Sequence, residues 1–173
     1  MLTSVLLLMA CDQPDSGETS IKEMESLLRK EAEMDTALAY ELTAAYSDFV
    51  KKNPSDSMAP VYLSRAADIY KEIDGKELKA VNTYNKVLVE YKDDPLAARS
   101  VFMIGYVFDD KLNSKERAAK SYRYFIETYP NHPLASDARN LLVLAEDTLT
   151  DEEVVVKWLK EAESKKDTNP KVD

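Results

Sequence analysis

The chain repeats itself at a constant offset of 38 residues. Tyr46, Tyr84 and Tyr122 fall in register, followed by Phe49, Val87 and Phe125, and then by Val50, Leu88 and Ile126. The register carries on without insertion or deletion through Ser57, Pro95 and Pro133, and through Ala59, Ala97 and Ala135. Self-similarity at a fixed period of about 34 to 47 residues, helical in pattern, marks a stacked helix-pair solenoid. Each unit is too small to bury its own apolar face, so neighbours must stack. Such arrays make extended binding surfaces, and function is therefore to be sought in recognition.

Composition supports the helical reading. The 173 residues include only three Gly, none in a Gly-rich loop, and 45% of the chain is hydrophobic. That is enough for the core of one ordinary domain. The formal charge of −9, from 32 acidic against 23 basic residues, argues against a nucleic-acid partner, because phosphate binding needs a basic stripe. With one cysteine, Cys11, and one histidine, His132, there is no intramolecular disulfide and no ligand set for a structural metal. No cofactor is expected, and no small-molecule substrate is evident.

Helix limits follow from apolar spacing and breakers. A first helix follows Thr19 or Ser20 as cap and carries Ile21, Met24, Leu27 and Leu28, continuing to about Ala32. The next runs over 36–52 and stops at Asn53-Pro54. A third spans Met58 to Ile73 and breaks at Asp74-Gly75, where glycine can take the left-handed conformation. Further helices are expected over Glu77 to Tyr91, Leu96 to Leu112, Lys115 to Tyr129, about Leu134 to Asp147, and about Glu152 to Ser164. The last has a capping box at Thr150 and Glu153 and a polar outer side suited to a terminal cap. Residues 165–173 have no apolar stripe and are expected to be disordered. The fold class expected is all-α, a solenoid of about four antiparallel helix pairs over residues 21–164.

Within one unit the order Ala118, Tyr122, Phe125, Ile126, Tyr129, Pro130 resembles the second helix of a tetratricopeptide repeat. Ile104, Gly105 and Phe108 resemble its first-helix signature, in which the glycine lets the paired helix come close. At the amino terminus, residues 2–10 are mostly apolar, too short to span a bilayer, and read as a signal-peptide core. Leu8, Met9, Ala10 and Cys11 resemble the lipobox of bacterial lipoproteins. That resemblance implies acylation at Cys11, a membrane tether, and a flexible leash over 11–20. Together with Tyr124 to Pro133 and Leu134 to Ala138, these features resemble periplasmic tetratricopeptide proteins of Gram-negative envelopes. Similar families are the BamD-like lipoproteins of outer-membrane β-barrel assembly and the carboxy-terminal domain of the Tol-Pal-associated coordinator. An adaptor at the periplasmic face of the outer membrane is what this implies.

In such arrays the first helices of successive pairs line the concave side. With Gly105 at the signature glycine, Ser64, Phe102 and Asn140 share one groove position, Val61, Arg99 and Asp137 another, and Asp68, Tyr106 and Leu144 a third. Arg99, Phe102, Tyr106, Asn140 and Asp68 are the expected partner-groove residues. Aromatics one turn apart beside a guanidinium are a hot-spot combination. Phe102 and Tyr106 serve equally well in packing between repeats, and sequence leaves both uses open. Tyr46, Tyr84 and Tyr122 are expected in the core, their hydroxyls reaching helix ends or solvent. His132 reads as a helix flank, carboxylate runs fall at helix boundaries, and no catalytic motif appears. The expected function is non-catalytic scaffolding, with a peptide-binding or chaperone-like role in cell-wall or Tol-Pal coordination as the alternative.

Overall fold

The computed structural model describes residues 16–30, 33–147 and 156. Seven α-helices follow one another among them: α1 (Ser16–Leu28), α2 (Thr36–Lys52), α3 (Met58–Lys71), α4 (Glu77–Glu90), α5 (Pro95–Tyr106), α6 (Lys115–Thr128) and α7 (Ala135–Asp147). Each helix packs on the next, and α3 also touches α5. The pairs α1/α2, α3/α4 and α5/α6 are thus complete, and α7 opens a fourth. The expected partner of α7, the signal segment, Cys11 and the tail lie outside the described residues, apart from Val156, which is helical.

Local chemistry sets the ends. The Asp35 carboxylate accepts from the amides of Ala37 and Leu38 to start α2, and Asp94 accepts from Leu96 beside Pro95 to start α5. Each satisfies backbone donors that a helix leaves open at its first turn. After α3 the chain reverses at Gly75, whose φ of 76° is the left-handed conformation expected there.

Three expected limits change. α1 begins at Ser16, so helix replaces the last five residues of the expected leash and Thr19 and Ser20 lie inside the helix. It also stops at Leu28, with Arg29 and Lys30 forming a turn. Ile21 anchors α1 by full burial in the core, and an amphipathic helix so anchored extends as far back as propensity allows. The fifth helix, expected unbroken to Leu112, is α-helical only to Tyr106. Val107–Lys111 then forms a π-helical turn, with the Leu112 amide donating to the Val107 carbonyl. The wider turn sends two adjacent side chains to different places. Val107 is fully buried with the α1–α4 core, while Phe108 packs with the α5–α7 core.

The register explains the core. Ala59, Ala97 and Ala135 are buried at the start of α3, α5 and α7, and Tyr46, Tyr84 and Tyr122 are buried in α2, α4 and α6. Gly105 shows why the repeat needs a residue without a side chain. A Cβ at this position would lie 2.6 Å from Cε1 of Tyr122, inside contact distance, so the α5–α6 approach depends on glycine.

Candidate interaction surface

The three register tyrosines put their hydroxyls to different use from the helix ends or solvent expected. Tyr46 of α2 donates to the Glu25 carboxylate of α1 at 2.6 Å, and Arg65 of α3 donates to the same oxygen at 2.5 Å. One repeat later, Tyr84 of α4 donates to Asp68 of α3 at 2.5 Å, while Arg99 of α5 holds both oxygens of Asp68 at 2.9 and 3.1 Å. Each tyrosine–carboxylate–guanidinium set joins three successive helices. Charge-assisted bonds of this kind are stronger than neutral ones, and they fix a first helix to the first helix of the next pair. Burial, and then the hydrogen bond to the neighbouring carboxylate, push the Tyr46 and Tyr84 phenols well above the usual tyrosine range.

The third repeat lacks the acid. Tyr106 occupies the register position that Asp68 holds one repeat earlier, and the fully buried Tyr122 hydroxyl has no hydrogen-bond partner among the described residues. The Tyr122 phenol is also pushed up, by burial first and then by the negative charge of Asp109.

A cleft of about 430 Å³ opens between α1 and α3. Leu28, Met34, Leu42 and Ile69 give it apolar walls, and Glu25, Arg29, Arg65, Asp68 and Tyr46 line the rest. Concave sites that combine apolar walls with a few fixed polar groups are the usual form of a binding pocket.

Of the residues expected at the groove, Arg99 and Asp68 do share a surface, but as partners of each other, with Arg99 also donating to Ser64 Oγ at 2.8 Å. Phe102 takes the packing role: its ring lies 5.8 Å from both Tyr122 and Phe125, inside the α5/α6 pair. Phe102 thus packs on α6 while its side chain stays partly exposed. Tyr106 is half-buried, with the Lys71 ammonium 5.8 Å from its ring centre. Asn140 is exposed on α7. Sequence reasoning missed Glu25, Arg29 and Arg65. Glu25 and Asp68 do not share the 38-residue register, nor do Arg65 and Arg99, so periodicity carries no trace of them.

His132 flanks α7 as expected. Its Nδ1 accepts from the Leu134 amide at 3.2 Å, and its ring stands edge-on to Phe125 at 5.3 Å. Among the described residues no group of three or more His, Cys, Asp or Glu side chains is arranged to hold a metal ion, and no helix is long and apolar enough to cross a membrane.

The segment that pairs α5 with α6 through Gly105 and Tyr122 decides the type of repeat. Residues 99–132 match the tetratricopeptide repeat family. No curated protein matches the chain. The all-α architecture is that of a tetratricopeptide-type helical solenoid. Tetratricopeptide repeats are protein–protein interaction modules and are typically non-catalytic, which fits a surface built from committed ion pairs around an apolar cleft.

Proposed function

We propose that this chain is a non-catalytic scaffold that binds protein segments along the face made by α1, α3 and α5, and that it is held at a bacterial cell envelope by a lipid on Cys11. The α1–α3 cleft carries the binding part of the reading. It is concave, apolar-walled and framed by side chains that the inter-repeat ion pairs hold in place, so little ordering is needed when a ligand arrives. The tether rests on the resemblance of Leu8 to Cys11 to a lipobox. A lipoprotein amino terminus supplies more than one acyl chain, and two anchors suffice for stable attachment at about 0.8 kcal/mol per buried CH₂. Outer-membrane protein assembly is the setting favoured by the envelope resemblance. A peptide-binding role in cell-wall or Tol-Pal coordination uses the same surface.

Expression of the wild-type chain and of Cys11→Ser, followed by membrane fractionation and pull-down from gently solubilised envelopes, tests both parts. The wild type is expected in the membrane fraction and the variant in the soluble fraction, with the same partners recovered by each. Membrane retention of Cys11→Ser removes the tether. Recovery of a barrel-assembly subunit supports the first setting, and recovery of peptidoglycan or Tol-Pal components supports the second.

A further inference from the structure

Resting on the binding role just proposed, we infer that the α1–α3 cleft takes a peptide segment in which a bulky apolar side chain is flanked by an acidic residue. The apolar half follows from the walls. Leu28, Met34, Leu42 and Ile69 wall a volume of about 430 Å³, which has room for a large side chain with its adjoining backbone. Such a side chain seated there removes apolar surface from water.

The acidic half follows from which polar groups remain available. Both carboxylates of the cleft are already engaged. Glu25 accepts from Tyr46 and Arg65, and Asp68 accepts from Tyr84 and, through both oxygens, from Arg99. The guanidinium groups are not used up in the same way. Each has five N–H donors. Arg65 gives one N–H group to Glu25 and its side chain stays 46% exposed, whereas Arg29 stands at the rim 76% exposed, with only a 3.9 Å approach to Glu25. The two carboxylates of the lining face two guanidinium groups, Arg29 and Arg65, and Asp68 is matched in addition by Arg99, so the cleft carries no net negative charge on a chain whose formal charge is −9. A ligand carboxylate beside the apolar anchor meets unused donors. A ligand lysine or arginine meets guanidinium groups and carboxylates that are already shared.

The test is selection of a random eight-residue peptide display library on the full chain, with Arg29→Glu and Ile69→Glu in parallel. Arg29 is exposed, so its reversal leaves the fold intact. Ile69→Glu places a charge in the apolar wall, and its circular dichroism melt is recorded beside the wild type. Selected peptides are expected to carry a bulky apolar residue with Asp or Glu within two positions. Synthetic versions should bind about ten-fold more weakly to Arg29→Glu, and the same loss should follow Asp→Asn in the peptide. Selected peptides with basic or neutral flanks, still lost on Ile69→Glu, overturn the acidic ligand and leave the proposed function standing. Binders indifferent to both substitutions overturn the cleft as their site. A library that yields no binder overturns the inference and the binding role together.

Discussion

At the scale of single residues, equal positions in the repeat do unequal work. Tyr84 and Tyr122 occupy the same register and are both fully buried, yet the first hydroxyl meets Asp68 and the second meets no described partner. Tyr84→Phe should cost about 1.5–3 kcal/mol, the range for a hydrogen bond to a charged group. Tyr122→Phe should lie within about 0.5 kcal/mol of wild type or be stabilising, because it deletes a buried group that gains nothing from burial. Urea unfolding of the two variants measures the contrast, and equal losses would refute the distinction. The same tyrosines set an alkaline limit. The phenols of Tyr46, Tyr84 and Tyr122 titrate higher in the folded chain than unfolded, so below the unfolded value of about 10 stability is at its full level, and it falls as pH rises from there through the folded values. Above pH ~10 the unfolded chain releases protons that the folded chain keeps, and each tyrosine lowers stability by about 1.4 kcal/mol per pH unit. Denaturant melts at stepped alkaline pH should show a shallower decline for Tyr84→Phe than for the wild type.

At the scale of helices, the α5–α6 contact depends on what α5 omits. Gly105→Ala gains about 1 kcal/mol of helix propensity but drives a Cβ to 2.6 Å from the Tyr122 ring. Tyr122 is fully buried with Phe102 against it, so the ring has little room to move. Overpacking of this kind costs about 1–3 kcal/mol. Net destabilisation is expected in thermal melts, and a variant as stable as wild type would mean that α6 shifts freely. The end of α2 at Lys52 and, to within two residues, the end of α3 at Lys71 were legible from Asn53-Pro54 and Asp74-Gly75, since those breakers act through the local backbone. The π-helical turn after Tyr106 was not legible. It arises because Val107 and Phe108 are drawn to two different cores, a demand set by neighbours rather than by the segment itself.

At the scale of the whole molecule, contacts pass mainly between neighbouring helices, with α3 also reaching α5 and α1 bridged to α3, so stability is distributed along the array. α3 packs against α2, α4 and α5 and holds both Arg65 and Asp68 of the inter-repeat bridges. α1 packs on α2 and is held further by Glu25. Native-state hydrogen exchange should find α1 amides opening at lower free energy than those of α3 and α4. Exchange of all three in step would indicate a single cooperative unit instead.

The sequence by itself determined the repeat, its period, the burial of Tyr46, Tyr84 and Tyr122, and the positions of six helices to within a few residues. Those properties follow from 3.6-residue spacing, capping groups and breakers, all local to the segment that carries them. Only the tertiary structure decided that Phe102 packs inside its pair and that Arg99 grips Asp68. It alone placed Glu25, Arg29 and Arg65 around an apolar cleft. Which carboxylate reaches which tyrosine depends on the spacing and rotation of helices up to 40 residues apart, as between Glu25 and Arg65. Such geometry is fixed when apolar faces dock, and no periodicity along the chain encodes it.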